Sequence, residues 1–218
     1  VWNPKTDEKL VKNYDQSNVK SGKSGNKKWL CKAYNLDVKK PLFVFIGRLV
    51  GEKGADLFPE IFKEALAENN ISILLLGSGH EKTEKALTTI PQENFNTFIG
   101  YDEKLAHIMY AGADFLLMPS RVEPCGLNQM YSLRYGTVPI VNAIGGLKDT
   151  IIDISKENGF GVVHHGVTVE KVTAAIAKAS IYFNQKEFKT NLKNIMQIDH
   201  SWGNSAKAYV NLYKSLKN

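Results

Sequence analysis

Two clusters of charge sit where apolar runs end. Gly47-Arg48-Leu49-Val50-Gly51-Glu52-Lys53-Gly54 follows the run Leu42 to Ile46, and Glu123-Pro124-Cys125-Gly126 follows Phe115 to Met118 after a Pro119-Ser120 turn. A guanidinium that grips two oxygens in a fork and an ammonium that supplies a point charge, both on one loop, suit a diphosphate. Glu123 stands just ahead of Cys125, Gly126, Leu127 and Asn128, which open a helical pattern whose free N–H groups favour anions. An acid beside an anion hole suits a sugar phosphate. On the residues alone a blander reading stays open: Arg48 and Lys53 are exposed cations of an ordinary loop, and Glu123 caps a helix.

Further candidates lie at other run ends. Tyr101 comes directly after Asn96 to Ile99, where an aromatic ring either stacks on a purine or lies half-buried in a loop. Gly77-Ser78-Gly79-His80 closes the run Ile71 to Leu76 and opens a helical pattern, as a phosphate loop does. A dinucleotide fingerprint needs a further glycine where Lys82 stands, so an NAD site is not expected. Gly77 and Gly79 then serve a tight turn and close backbone approach to a nucleotide. Gly145-Gly146 follows Val138 to Val141 and is, on its face, loop punctuation. His164-His165 lack metal-ligand spacing and His80, His107 and His200 stand alone, so all five read as structural. Cys31 and Cys125 are too few and too distant for a disulfide framework or a zinc knuckle. No nucleophile elbow, zinc-protease helix or Walker loop occurs.

These groups need a frame that brings run ends together. Short apolar runs bounded by turn residues predict strands at 42–46, 71–76, 96–99, 115–118, 138–141 and 161–163. Helical patterns fall between them at 55–67, 80–88, 102–111, 127–135 and 147–152, and three more follow at 169–183, 186–195 and 202–216. Such alternation predicts an α/β fold, a Rossmann-like three-layer parallel sheet with helices on both faces. In such sheets ligands bind outside the carboxyl ends of the strands, where Arg48, Lys53 and Glu123 are expected. Residues 15–28, rich in Gly, Ser and Lys and without periodicity, predict a flexible surface loop, with a short helix at 29–34.

A chain of 218 residues suits one domain, here a polar N-terminal arm (1–40), a Rossmann-like core (41–163) and a helical tail (164–218). With 43% hydrophobic and 23% charged residues its composition is that of a globular protein. The net charge of +6 comes from lysines of the arm (Lys20, Lys23, Lys27, Lys28, Lys39, Lys40) and of helix faces, which read as solvated. Aromatics do not interleave with a basic stripe, so nucleic acid is not an expected partner. No apolar run approaches the roughly 20 residues that cross a bilayer, and no signal pattern opens the chain, so a membrane is not expected and a reducing cytoplasm is the expected compartment. Beginning at Val1 rather than Met, the chain reads as a piece of a longer polypeptide.

Asp114 to Gln129, followed by Tyr135-Gly136-Thr137-Val138-Pro139-Ile140-Val141 and Gly145-Gly146-Leu147-Lys148-Asp149-Thr150, resembles the donor half of bacterial glycogen synthases and plant starch synthases. Gly47 to Gly54, Ile99-Gly100-Tyr101-Asp102-Glu103 and the opening Val1 to Asp7 agree, in order, over nearly the whole chain. The resemblance implies the C-terminal, nucleotide-sugar-binding half of a two-domain GT-B glycosyltransferase. Its implied reaction moves glucose from ADP-glucose to the nonreducing end of an α-1,4-glucan with retention of configuration. The resemblance assigns the diphosphate to Arg48 and Lys53, the donor glucose to Glu123, and glucose hydroxyls and phosphate to the amides of Cys125, Gly126, Leu127 and Asn128. It assigns adenine to Tyr101 and the sugar and acceptor side of the cleft to Gly145 and Gly146. Asn128 stands where many relatives have Thr. The wider superfamily often carries a second Glu where Tyr131 stands, as glycogen and starch synthases tend not to. No metal or other cofactor is implied, the fixed cations standing in for a metal ion. The half that binds glucan is expected before Val1, and without it the chain is expected to make no glucan. Two alternatives are a stand-alone nucleotide-binding or regulatory module and a GT-B transferase using another nucleotide sugar.

Overall fold

The computed structural model describes residues 2–216. The six apolar runs form strands β1 (Leu42–Ile46), β2 (Ser72–Gly77), β3 (Phe95–Ile99), β4 (Phe115–Met118), β5 (Val138–Asn142) and β6 (Val162–His164). Every neighbouring pair is parallel, in the order β3-β2-β1-β4-β5-β6. β2, β4 and β5 are buried along their whole length, as is β1 up to Phe45, which is why these segments are unbroken apolar runs rather than alternating ones. β3, at one edge, is only half-buried.

Nine helices occur among the described residues: α1 (Val19–Ala33), α2 (Phe58–Glu68), α3 (Glu81–Thr88), α4 (Glu103–Gly112), α5 (Asn128–Arg134), α6 (Gly145–Thr150), α7 (Val169–Phe183), α8 (Lys186–Ile195) and α9 (Trp202–Ser215). α1 and α5 pack on α4, whereas α3 and α7 pack on α2, giving two helical layers about the sheet. Asp102 caps α4 by accepting from the Leu105 N–H at 2.8 Å, and Pro59 sits in the first turn of α2, where a missing N–H costs nothing. Ala55–Leu57, expected to belong to that helix, forms a separate 3₁₀ turn. No residue of α9 is buried. Among the described residues no helix is long and apolar enough to cross a membrane.

The loop expected at 15–28 is instead most of α1. Its polar residues lack an apolar stripe because they point inward to partners on other elements. Lys23 Nζ donates to the carbonyls of Ala111 (3.2 Å) and Tyr135 (3.3 Å) and to Thr137 Oγ1 (2.7 Å). Lys27 Nζ reaches Asp114 Oδ2 and the Lys40 carbonyl, each at 2.7 Å. Asn26, wholly buried, bonds the backbone of Val11, Lys12 and Gly22. So two lysines read as solvated are buried, and the expected short helix at 29–34 is the end of this longer one.

Candidate functional site

The strand order reverses direction between β1 and β4, and in such sheets the crevice outside the carboxyl ends at that point receives ligands. β1 ends in the Arg48–Lys53 loop and β4 in the Ser120–Glu123 loop, so the two charge clusters face each other across the switch point. Lys53 Nζ lies 2.5 Å from Glu123 Oε2, and Ser120 Oγ donates to the same oxygen at 3.1 Å. Both side chains are largely shielded, at 22% and 11% exposure. Ser120 is buried, and its carbonyl accepts from Asn142 Nδ2 at 2.9 Å at the end of β5. Arg48 behaves differently from Lys53: it is exposed, with only a 3.6 Å ion pair to the equally exposed Glu52.

The loops are joined by more than that pair. Arg121 Nη1 donates to Asp56 Oδ1 at 2.5 Å and to the Gly51 carbonyl at 2.6 Å, and Nη2 to Asp56 Oδ2 at 3.0 Å. The hydrogen bonds from Arg121 hold the Asp56 carboxyl below its usual range. The N–H groups of Arg121 and Val122 both donate to the Glu52 carbonyl, at 2.8 and 3.3 Å. The Gly146 N–H donates to the carbonyls of Glu123 (3.1 Å) and Pro124 (3.2 Å), and a Cβ on Gly145 or Gly146 would strike the carbonyl of Glu123 or Cys125. These glycines therefore seat the Glu123 loop from the β5 side. Gly77 and Gly79 play the same part on the β2 side, where a Cβ would strike the carbonyls of Gly47 and Leu49.

Past Glu123, Cys125 and Leu127 are exposed and Gly126 is buried. α5 starts at Asn128, whose Nδ2 donates to the Ile46 carbonyl at the end of β1 (2.8 Å), so its side-chain amide ties helix to strand. Tyr101 is 86% exposed at the end of β3, three strand spacings from β4, about 15 Å across the sheet. Tyr131 stacks on Trp2 at 4.1 Å, and the opposite face of Trp2 stacks on His107 at 3.8 Å. His107 is buried and bonded to Asp7 at 2.6 Å, and Tyr135 binds the same carboxylate oxygen. Burial raises the Asp7 pKa, but the hydrogen bonds from Tyr135 and His107 prevail and leave it lowered. His164, at the end of β6, is held below its usual range by burial.

Sequence reasoning missed Ser120, Arg121, Asp56 and Asn142. Ser120 and Arg121 lie inside the quoted stretch, but Asp56 reads as part of a helix, and only the strand order brings it beside Arg121. A groove of about 530 Å³ along α7, lined by Ile154, Lys178, Ile181 and Tyr182 among others, offers a poorer site: its cation, Lys178, is already paired with Asp153 at 2.7 Å. Among the described residues no group of three or more His, Cys, Asp or Glu is placed to hold a metal ion.

Known proteins resemble this chain over nearly its whole length. The family described as glycosyl transferases group 1 matches residues 27–194. A glycogen synthase of Flavobacterium johnsoniae is 47% identical over 219 residues, covering 98% of this chain and 46% of that protein. One of Fervidobacterium nodosum is 43% identical over 225 residues, covering 99% and 46%. The catalytic domain of starch synthase IV from Arabidopsis thaliana, solved bound to ADP and acarbose, superposes with a TM-score of 0.88 at 31% identity, over 98% of this chain and 46% of that one. The chain thus spans about half the length of the relatives it matches. Its sheet order and these likenesses agree: the chain belongs to the group 1 glycosyl transferases, in the glycogen and starch synthase family with its Rossmann-like GT-B fold.

Proposed function

We propose that this chain is the donor-nucleotide half of a retaining glucosyltransferase that moves glucose from ADP-glucose to the nonreducing end of an α-1,4-glucan. The observation that carries the reading is the meeting of the two charged loops at the switch point, where Lys53 reaches Glu123 and Arg48 stands exposed beside them. Likeness to a starch synthase solved with ADP supports adenine as the base. In this reading Tyr101 offers its exposed ring to adenine, and Arg48 and Lys53 grip the diphosphate. The main-chain amides from Cys125 to Asn128 meet phosphate and glucose hydroxyls, while Glu123, steadied by Ser120, orients the glucose.

The chemistry follows from where charge develops. As the bond from anomeric carbon to phosphate oxygen breaks, negative charge grows on the diphosphate and positive charge on the sugar. Arg48 and Lys53 help to the extent that they bind the departing diphosphate more strongly than the intact donor. The acceptor hydroxyl attacks from the face the leaving group departs, and its proton passes to the leaving phosphate oxygen, so configuration is retained. Orientation of the acceptor and exclusion of water come from closure against a second, glucan-binding half. The 218-residue chain alone is therefore expected to bind donor without lengthening glucan.

The test is a calorimetric titration of ADP-glucose, UDP-glucose, ADP and NAD into this chain and into the full-length protein, with Arg48→Ala and Tyr101→Ala beside the unaltered forms. Binding of the adenine nucleotides other than NAD, weakened by both substitutions, supports the reading. Preference for UDP-glucose would point to another nucleotide sugar, and unaltered affinity in Arg48→Ala would remove the diphosphate site from this loop.

A further inference from the structure

We propose that Arg121 is a positioning residue: by clamping Asp56 and the Gly51 carbonyl it sets the height of the Gly51–Lys53 turn, and thereby, through Lys53, the affinity of the site for a nucleoside diphosphate. This rests on the diphosphate reading above and adds to it a group that touches no substrate. The first half of the loop is held from the β2 side, where buried Leu49 pairs with Gly79 and its N–H donates to the Ser78 carbonyl at 2.8 Å. Beyond Leu49 the chain has only two 3₁₀ turns before α2, Gly51–Lys53 and Ala55–Leu57, joined by Gly54 at φ +74°. A Cβ on Gly54 would lie 2.6 Å from the Pro119 carbonyl oxygen, so the loop lies flat on the start of the segment that carries Glu123. Arg121 completes the seat from two residues before Glu123, with its fork on Asp56, one amine shared with Gly51, and its own N–H on the Glu52 carbonyl. Lys53 is the next residue after Glu52, so the height of Glu52 above the sheet is the height from which Lys53 reaches Glu123.

Arg121 and Asp56 are 36% and 48% exposed, and an exposed pair contributes little to global stability. Its bonds converge instead on one loop, where a displacement of about 1 Å can cost large factors in function. The guanidinium is also already engaged with three acceptors, unlike that of Arg48, which is free to turn to a ligand. Asp56→Asn separates the two roles. If Arg121 itself gripped phosphate, weakening its hold on Asp56 would leave ADP binding intact or tighten it; if it positions the loop, binding weakens.

The experiment titrates ADP into the full-length protein carrying Asp56→Asn, Arg121→Lys, Arg48→Ala or Lys53→Ala, and the first two again on the Lys53→Ala background, with urea unfolding midpoints alongside. Expected are losses of about tenfold for Asp56→Asn and for Arg121→Lys, which keeps the charge but not the fork, with midpoints unmoved. On the Lys53→Ala background both losses are expected to shrink to less than about twofold, because the clamp acts through Lys53. Full losses on that background, or wild-type affinity in Asp56→Asn, overturn the proposal. Unaltered ADP affinity in Arg48→Ala and Lys53→Ala instead overturns the diphosphate reading, and a loss in Arg48→Ala without one in Asp56→Asn overturns the clamp alone. A folded wild type that takes no ADP overturns both.

Discussion

Lys23 makes the fold's stability depend on pH in a calculable way. Its side chain is 5% exposed between α1 and α4, with three neutral acceptors and, among the described residues, no carboxylate within hydrogen-bonding distance. Burial, aided by the Lys27 charge and opposed by Asp114, pushes its pKa from 10.5 down to about 7. The unfolded chain therefore binds more protons between these values, so stability rises with pH across the window and levels off only near 10.5. Integrating one such group from pH 7 to pH 9 gives a gain of about 2 kcal/mol. At a urea m-value of about 2 kcal/mol/M that is about 1 M in midpoint. Lys23→Met removes the titration and leaves most of the polar groups around it paired: the Tyr135 carbonyl keeps the Tyr14 hydroxyl (2.7 Å), and Thr137 Oγ1 still donates to the Tyr110 carbonyl (2.6 Å). Unfolding of both proteins by urea at pH 7, 8 and 9 cancels every other group, and the midpoint gap between them is expected to move by about 1 M in favour of the unaltered chain. Parallel midpoints would refute the reasoning and mean that the three acceptors hold the ammonium charged inside the fold.

Other consequences follow from single contacts. Trp2→Ala removes the ring stacked between His107 and Tyr131 and is expected to cost about 2–4 kcal/mol in urea unfolding; an effect under about 1 kcal/mol would mean that the N-terminal segment hardly adds to the fold. Asp153, whose pKa burial raises but Lys178 and Ser155 pull down to about 2, contributes stability that is present above 3.8 and lost as pH falls towards 2. Asp153→Asn is therefore expected to lower the unfolding midpoint at pH 7, with the difference closing between pH 4 and pH 2. Gly146→Ala drives a methyl into the Cys125 carbonyl and is expected to weaken ADP binding several-fold while circular dichroism stays unchanged; wild-type affinity would show that the Glu123 loop tolerates displacement.

The strands were legible because the sheet is covered on both faces: Leu42 to Ile46 and Phe115 to Met118 have to be apolar throughout, and nothing else of that length competes. α1 was not legible for the opposite reason. Between the buried Val19 and Leu30 its inward positions are taken by Gly22, Lys23, Asn26 and Lys27, and its glycines read as loop until their neighbours are known, Gly22 lying against Tyr14. The partners that make those lysines tolerable inside, among them Ala111, Thr137 and Asp114, lie 87 to 114 residues away. Periodicity is a local signal and carries no trace of hydrogen bonds made at that distance. α6 begins at Gly145, earlier than its apolar pattern, because close backbone approach to Glu123 outweighs the poor helix propensity of two glycines.

The residues of the candidate site could be nominated by type, but their partnerships could not be read from the sequence. Arg48 and Lys53, on one loop, read as equal members of a cation pair, yet strand order puts β4 beside β1 and separates their fates. Lys53 turns inward to a shielded carboxylate that Ser120 also holds, and Arg48 turns outward to an exposed one. On the proposed reading a diphosphate entering the crevice would meet two different competitors. It displaces Glu52 from Arg48 at little cost, because a 3.6 Å pair in water is worth under about 1 kcal/mol. To engage Lys53 it must share or break a short, shielded bond to Glu123, and breaking it would free that carboxylate as the sugar arrives. On the proposed reading, donor binding would couple the phosphate end of the ligand to the carboxylate assigned to its glucose, a link between two motifs 70 residues apart that no single motif contains.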